Sequence, residues 1–169
     1  GLDGVPPLPR FGEGYRILHS INPHDEWGGI QWDPDVFENL YDRILGKITK
    51  HRDDIVQTEG YFLDDAKIVL IAYGSESRPA LGAVRQARAN GIKAGLLKLV
   101  TVWPVPDKEI CAVAEKAETV LTVEMNVGRY AYEVERLCCG ACRVVRITKN
   151  RGLVHTTKEV YKAVEEITR

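Results

Sequence analysis

The sequence has few features that would point to a membrane, a nucleic acid or a secretion route. Its formal net charge at pH 7 is −1, so no excess of basic side chains is available to attract phosphate groups. The strongly apolar runs end within about ten residues, well short of the roughly 20 that a membrane-spanning helix needs. The chain opens on Gly, Asp and Pro instead of the basic and then apolar segments of a signal peptide. We therefore expect a cytoplasmic chain that binds neither nucleic acid nor membrane.

Several ligand-binding motifs are missing as well. The stretch YGSESRPALG lacks the three spaced glycines of a dinucleotide site, and it contains no P-loop lysine. The four cysteines and four histidines match neither the paired ligands of a structural zinc site nor the spacings of an iron–sulfur site. The composition, 44% hydrophobic and 28% charged, is that of an ordinary globular domain. A length of 169 residues suffices for one domain with a real core.

The chain opens with Gly1, and its only methionine is Met125. We therefore expect a piece of a longer protein. Residues 1–32 are irregular and rich in Gly and Pro, which predicts an arm or linker from a missing N-terminal domain, followed by one α/β domain over 33–169. The arm carries large apolar groups that need a surface to lie on, either its own domain or a neighbouring one: Phe11, Tyr15, Ile17, Leu18, Ile21, Trp27, Ile30 and Trp32.

Three apolar runs in the second half of the chain define the fold class. They are KIVLIAYGS (67–75), GIKAGLLKLVTVWPVP (91–106) and ETVLTVEMNVG (118–128), and helical patterns separate them. Short runs that are apolar on both faces are typical of buried parallel strands covered by crossover helices. We predict strands over 67–73, 93–99 and 119–124, and an edge strand over 143–148, where the pattern alternates. The fold class is a three-layer α/β/α sandwich with a mostly parallel, doubly wound sheet of about five strands.

The helices are predicted between and around these strands. Asp33-Pro34 is a typical N-cap followed by proline at the first helical position. We predict that this first helix runs into the mid-50s and presents one apolar stripe. Four other helices are predicted. One covers 78–89, one begins near 106, one covers 127–138, and the last is capped by Thr156-Thr157.

Polar residues stand where two of the predicted strands end. Gly74-Ser75 precedes a helix, where related folds bind phosphate, although a tight turn with Ser75 or Ser77 as cap is the simpler interpretation. Glu124 and Asn126 end the third strand. The carboxylate of Glu124 is a candidate proton carrier or ligand clamp, but we favour a role as helix cap or in a subunit interface with Arg129.

Two further groups of residues are candidates for a metal or redox site. His19 and His24 stand near Asp25 and Glu26, but such residues in an irregular arm are more often turn formers, and we predict no metal site. In CCGAC, Cys139 and Cys142 form a C-x-x-C pair. Such pairs normally open a helix, which lowers the thiol pKa, whereas this one closes a helix. We therefore expect the cysteines to pack as small apolar groups, with a redox couple as the alternative.

A family resemblance emerges from AYGSESRPALGAVRQARANGIKAGLLKLVTVWPVPDKEI followed by VLTVEMNVG. Here the sequence resembles the C-terminal domain of the transketolase superfamily, and most closely the alpha subunit of 2-oxoacid:ferredoxin oxidoreductases. FGEGYR (11–16), HDEWG (24–28), HRDDIV (51–56) and LDDAKIVLIAYGS (63–75) fit the same family, so the resemblance spans nearly the whole chain. Arg129 departs from it, because the family more often shows Gln there.

The resemblance implies part of an enzyme that uses thiamine diphosphate to decarboxylate a 2-oxoacid oxidatively. The acyl group passes to coenzyme A, and electrons pass through iron–sulfur clusters to ferredoxin. In the family, the thiamine pyrimidine and its activating glutamate belong to the N-terminal domain of the same subunit. The diphosphate and its Mg²⁺ belong to the beta subunit, and gamma or delta subunits complete the complex. This chain would then be a structural and assembly domain that binds no cofactor and is inactive alone.

Two other classes of function stay open on the sequence. One is a self-contained binder of a nucleotide or CoA-type ligand, in the crevice between Gly74-Ser75 and Glu124-Asn126. The other is a thiol redox module through Cys139 and Cys142. If the chain is instead a domain of the oxidoreductase complex, its separation from its partners would expose an apolar face, and it could associate with a second copy of itself.

Overall fold

The computed structural model describes residues 8–17, 21–25 and 27–169. The chain divides into two compact units, Gly1–Ile55 and Val56–Arg169. The division places the first predicted helix with the irregular arm and not with the sheet. Leu18, His19 and Glu26, which the sequence pattern singled out, lie outside the described residues.

In its described part, the first unit contains an irregular segment and two helices, α1 (Pro34–Thr49) and α2 (Arg52–Ile55). The predicted cap is present, since a carboxylate oxygen of Asp33 accepts the Asp35 N–H at 2.9 Å. The single helix predicted into the mid-50s is interrupted, because α1 ends at Thr49 and only a short helix follows. The predicted apolar stripe of α1 buries Leu40 but leaves Tyr41, Ile44 and Leu45 exposed.

The irregular segment forms a local turn around Asp25. Its Oδ1 accepts the N–H groups of Trp27 and Gly29 at 2.9 and 2.8 Å, and its Oδ2 accepts the Gln31 side-chain amide at 2.6 Å. These hydrogen bonds, led by that from Gly29, lower the pKa of Asp25. Asp25 is therefore a turn former. Trp27 and Trp32 remain 87% and 75% exposed.

The second unit is built on a five-stranded sheet in the order β1-β3-β2-β4-β5. The strands are β1 (Thr58–Tyr61), β2 (Ile68–Tyr73), β3 (Ala94–Leu99), β4 (Thr119–Glu124) and β5 (Arg143–Thr148). All neighbours are parallel except β1, which runs antiparallel to β3. The four strands predicted from the sequence are confirmed, and β5 lies at an edge as expected. The edge strand β1 was missed because TEGY is short, polar and contains glycine.

Helices cover both faces of the sheet. They are α3 (Ser77–Ala89), α4 (Asp107–Ala114), α5 (Arg129–Cys138) and α6 (Thr157–Ile167). Side chains that alternate along β2 divide between two cores: Leu70 packs with residues of α3 and α6, and Ile71 with residues of α4 and α5. The central strands are apolar at consecutive positions because both of their faces are covered. The predicted three-layer α/β/α sandwich is confirmed.

Two helix starts differ from those predicted. A 3₁₀ turn, Gly74–Glu76, precedes α3, and α5 begins at Arg129 instead of 127. The last helix begins as predicted, since Thr156 and Glu159 form a capping box. None of the described helices is long and apolar enough to cross a membrane.

Candidate functional site at the carboxyl ends of the strands

The candidate site forms where β2 and β4 end side by side. These strands are parallel neighbours with Ala72 opposite Val123, so Tyr73 and Glu124 emerge at the same edge of the sheet. The Tyr73 hydroxyl lies 3.1 Å from Oε2 of Glu124, to which it donates. This is the edge at which doubly wound folds usually bind ligands.

Glu124 caps the helix that follows it. Its Oε2 accepts the N–H of Tyr130 and its Oε1 accepts the N–H of Ala131, both at 2.9 Å. The residue is only 1% exposed. A buried carboxylate at a helix N-terminus is favoured both by these hydrogen bonds and by the helix dipole. Of the roles considered for Glu124, the structure shows the helix cap.

Asn126 completes the same cap. Its Oδ1 accepts the N–H groups of Gly128 at 2.7 Å and Arg129 at 3.0 Å, and its Nδ2 donates to the Tyr73 hydroxyl at 2.8 Å. Gly128 precedes the helix with a φ of 82°, a conformation that glycine adopts without strain. Together with Glu124, Asn126 satisfies the N–H groups that the start of α5 leaves without helical partners. Arg129 contributes through its backbone, and its side chain is exposed.

Two tyrosines close over this cap. The rings of Tyr73 and Tyr130 lie 5.4 Å apart between centroids, at an angle of 56°. Burial and the Glu124 charge raise the pKa of Tyr73 to about 12. Burial, and then the charge of Glu133, raise the pKa of Tyr130. The Tyr130 hydroxyl is buried and has no hydrogen-bond partner among the described residues. Both phenols therefore stay protonated at neutral pH.

Gly74 and Ser75 lie at the end of β2, in the 3₁₀ turn. Gly74 has a φ of 55°, and Ser75 is exposed. Neither Ser75 nor Ser77 caps α3, which begins without a side-chain cap, and Ser77 Oγ is buried without a hydrogen-bond partner. The capping role expected for one of these serines was therefore wrong.

Sequence reasoning missed a buried ionisable pair beside this turn. Glu76 and His155 are 3% and 8% exposed, and Nδ1 of the imidazole lies 3.1 Å from Oε2 of the carboxylate. The backbone N–H of His155 donates to Oε1 of Glu76 at 3.2 Å. The two residues are 79 positions apart, so no local pattern could have joined them. The pair ties the start of α3 to the segment before α6.

The cysteines are arranged differently from the predicted couple. Cys138 ends α5 and is buried, whereas Cys139 takes a left-handed conformation with φ 47° and is exposed. The thiol that hydrogen-bonds with Cys142 is that of Cys138, and burial followed by this contact raises the pKa of Cys138 to about 12. All four cysteines are free. Since redox-active thiols have lowered pKa values, this geometry favours packing.

The described residues do not fit a metal centre. Among them, no three His, Cys, Asp or Glu side chains come together in a way that could hold a metal ion. At the strand ends, the side-chain oxygens of Glu124 and Asn126 accept hydrogen bonds from backbone N–H groups at the start of α5. The fold and this edge thus define a doubly wound α/β domain whose strand-end polar groups hold its own helices.

The family of the chain follows from comparison with known proteins. The model of the family described as pyruvate:ferredoxin oxidoreductase core domain II matches residues 66–160, more than half of the 169-residue chain. The chain belongs to this family. The resemblance to alpha subunits of 2-oxoacid:ferredoxin oxidoreductases, stated from the sequence, is confirmed.

Curated relatives bear names from the same group of enzymes. The 2-oxoglutarate synthase subunit KorA of Methanothermobacter thermautotrophicus is 39% identical over 99% of this chain and 45% of its own length. KorA of Methanocaldococcus jannaschii is 41% identical over 95% of this chain and 43% of its own length. The ketoisovalerate oxidoreductase subunit VorB of Methanothermobacter marburgensis is 33% identical over 80% of this chain and 38% of its own length. The chain therefore spans less than half the length of these relatives.

Solved structures share the fold. The 2-oxoglutarate:ferredoxin oxidoreductase from Magnetococcus marinus, with 2-oxoglutarate, coenzyme A and succinyl-CoA bound, aligns with a TM-score of 0.75 at 18% identity. The alignment covers all of this chain and 30% of that one. A split-gene transketolase aligns with a TM-score of 0.55 at 21% identity, over 64% of this chain and 40% of that one. At these identities the likeness concerns the fold alone, and it includes the transketolase-like fold that the sequence predicted.

Proposed function

We propose that this chain is the structural and assembly domain of the alpha subunit of a 2-oxoacid:ferredoxin oxidoreductase. The observation that carries the proposal is the family match over residues 66–160. The strand-end geometry agrees with a supporting role, because Glu124, Asn126 and Tyr73 are bonded to one another or to α5. These hydrogen bonds stabilise the domain. Among the described residues, the three side chains do not form part of a cluster that could hold a metal ion.

The reaction of the parent enzyme is the oxidative decarboxylation of a 2-oxoacid with coenzyme A and ferredoxin. We assign thiamine diphosphate, Mg²⁺ and the iron–sulfur clusters to other parts of the complex, since the described residues do not fit a metal centre. The partners are the N-terminal domain of the same subunit, the beta subunit with gamma or delta subunits, and ferredoxin. The complex works in the cytoplasm. Because the KorA relatives are 39% and 41% identical and the VorB relative 33%, 2-oxoglutarate is the first substrate to test.

Binding and turnover measurements test whether the cofactors are bound by other parts of the complex and not by this chain. We expect the 169-residue chain alone to give no heat of binding with thiamine diphosphate and Mg²⁺ in isothermal titration. We expect the complete complex to reduce a viologen dye with 2-oxoglutarate and coenzyme A, faster than with pyruvate or 2-oxoisovalerate. Tight binding of thiamine diphosphate by the chain alone, or turnover without the other subunits, would contradict the proposal.

The exposed tryptophans of the first unit give a test of assembly. Trp32 is 75% exposed, and large aromatic side chains commonly anchor protein interfaces. We expect Trp32→Ala to lower the yield of the chain recovered with the tagged beta subunit by about tenfold, a loss typical of an interface anchor. Lys47→Ala, a change at an exposed site of α1, is the matched control and should leave recovery unchanged. Equal recovery of the two variants would exclude Trp32 from the interface.

A further inference from the structure

Most of the large apolar side chains that the second unit exposes lie at one edge of its sheet. The four parallel strands end level with one another there, since Leu99 lies opposite Tyr73, and Glu124 opposite Thr148. Neighbouring strands are about 5 Å apart, so the edge is about 15 Å wide. The loops that follow β3, β4 and β5 expose Val100, Val102, Trp103, Met125, Val127 and Leu153. We call this surface the carboxyl edge.

The exposure of these side chains indicates a contact surface. Trp103, Val127 and Leu153, one in each loop, are 60%, 64% and 62% exposed. A single exposed apolar side chain is ordinary, whereas several gathered at one edge mark a site of protein contact. The contact of His155 with Glu76 holds the loop that carries Leu153 against the start of α3.

The charged side chains around the carboxyl edge have one sign. Arg78 stands in the first turn of α3, Arg129 begins α5, and Arg151 lies in the loop after β5. All three are exposed, and none forms an ion pair with another described residue. The four helices α3, α4, α5 and α6 also begin at this edge, where their dipoles add positive potential.

The carboxylates nearby are already engaged within the domain. Glu76 contacts His155, and Glu124 accepts hydrogen bonds at the start of α5. Glu159 is paired with Lys149 at 2.8 Å. The three arginines therefore require acidic partners from outside the described part of the chain.

This charge pattern selects one kind of occupant. In a two-fold dimer each copy would present the same surface to the other, and the unpaired arginines would face arginines. Like charges set against each other cost several kcal/mol at an interface. A partner with an apolar centre and carboxylates around it matches both the side chains and the sign of the charge.

We propose that the carboxyl edge docks a neighbouring polypeptide of the oxidoreductase complex, whose contacting face is apolar and rimmed by carboxylates. The apolar loops bury their side chains against the centre of that face, and Arg78, Arg129 and Arg151 pair with its rim. The proposal rests on the proposed function, because the neighbour is a component of the assembled complex.

Hydroxyl-radical footprinting of the chain alone and in the assembled complex tests where the neighbour sits. We expect oxidation of Trp103 to slow by about fivefold in the complex, because an interface centre excludes solvent. Phe62 is the internal control. It is 49% exposed and lies at the opposite edge, where its carbonyl approaches Gly95 at the start of β3. Its oxidation should stay unchanged.

A second experiment tests the chemistry of the rim. Arg78→Lys, Arg129→Lys and Arg151→Lys each supply a primary amine, which a water-soluble carbodiimide joins to a carboxylate in direct contact. We expect mass spectrometry of the treated complex to find a link from at least one of these positions to a carboxylate of another polypeptide. Arg143→Lys is the matched control, since it places the same amine at an exposed site at the start of β5, and it should give no such link.

The outcomes separate this proposal from the proposed function. A complex that assembles while Trp103 reacts as in the chain alone overturns the docking surface and leaves the proposed function standing. Absence of a link from all three arginine positions, or equal links from position 143, overturns the acidic rim. Sedimentation of the chain alone as a dimer with Trp103 protected would make a second copy the occupant and overturn the proposal. Failure of the chain to assemble with the other subunits overturns both.

Discussion

At the scale of single residues, the structure assigns the strand-end carboxylate to the backbone of its own domain. Glu124 is buried, and its two oxygens accept from Tyr130 and Ala131 at the start of α5. Glu124 fixes the direction in which α5 leaves the sheet, and through Tyr73 it joins two neighbouring strands.

We predict that Glu124→Gln destabilises the domain by about 1–3 kcal/mol. The side-chain amide nitrogen of glutamine cannot accept a hydrogen bond, so one backbone N–H at the start of α5 would stay buried and unpaired. Urea unfolding followed by far-UV circular dichroism measures the change. Glu135→Gln, which removes the same charge from an exposed position of α5, should change the free energy of unfolding by less than about 0.5 kcal/mol. Equal effects of the two substitutions would refute the buried-cap interpretation.

A second residue-scale prediction concerns pH. The side-chain hydrogen bond from Lys149, followed by the backbone and side-chain bonds from Thr156, lowers the pKa of Glu159 from 4.5 to about 2. A carboxylate with a lowered folded-state pKa adds stability that is present above the unfolded value of 4.5 and is lost as the pH falls towards 2. We therefore expect Glu159→Gln to unfold at a lower temperature than the parent chain at pH 7.

The difference should narrow below pH 4.5 and be largely lost as the pH falls through about 2, where the parent carboxyl becomes protonated. Glutamine at this position can still form a capping box, so the comparison isolates the charge. Thermal unfolding recorded between pH 2 and 7 measures the difference in unfolding temperature between the two chains. A difference that stays constant down to pH 2 would refute the lowered pKa of Glu159.

At the scale of elements, the contact between α3 and α6 depends on a glycine. A Cβ placed on Gly82 would meet Thr157 Oγ1 at 2.7 Å and Cγ2 at 3.0 Å. Helix propensity alone would make Gly82→Ala stabilising by roughly 1 kcal/mol. We predict the opposite sign, a loss of about 1–3 kcal/mol, because the extra methyl overpacks a close helix pair.

A double-mutant cycle tests this packing. Thr157→Ala removes the two nearest atoms that the new methyl would meet and leaves only Cβ at 3.4 Å, so Gly82→Ala should cost much less in that background. Chemical unfolding of the four chains gives the coupling energy. Additive effects would show that Gly82 is not retained for its contact with Thr157.

At the scale of the whole molecule, the two hydrophobic cores draw their residues from the second unit. Both clusters consist of residues between Tyr61 and Ile167. We predict that a chain of residues 56–169 folds alone and unfolds in a single cooperative transition, because both clusters are built, among the described residues, from the second unit. Circular dichroism and amide dispersion by NMR would show this. A molten or aggregated product would mean that residues 1–55 supply a contact that the sheet needs.

The sequence by itself determined the four parallel strands of this protein's sheet. The central strands β2, β3 and β4 are apolar at consecutive positions, a pattern that arises when helices cover both faces, and the alternating pattern of 143–148 marked an edge. Glu124 and Asn126 were found in the same way, because a polar group that ends a buried run must lie at the rim of the sheet. The motifs along the chain were also enough to identify the family.

Only the tertiary structure decided how these groups are used. The short strand β1 exists through its pairing with β3, and Glu76 meets His155 across 79 positions. The partner of Cys142 is Cys138 and not Cys139, because the left-handed turn after α5 directs Cys139 into solvent. Periodicity reports which side of an element is buried, whereas the partner of a side chain depends on contacts between segments that are distant in sequence.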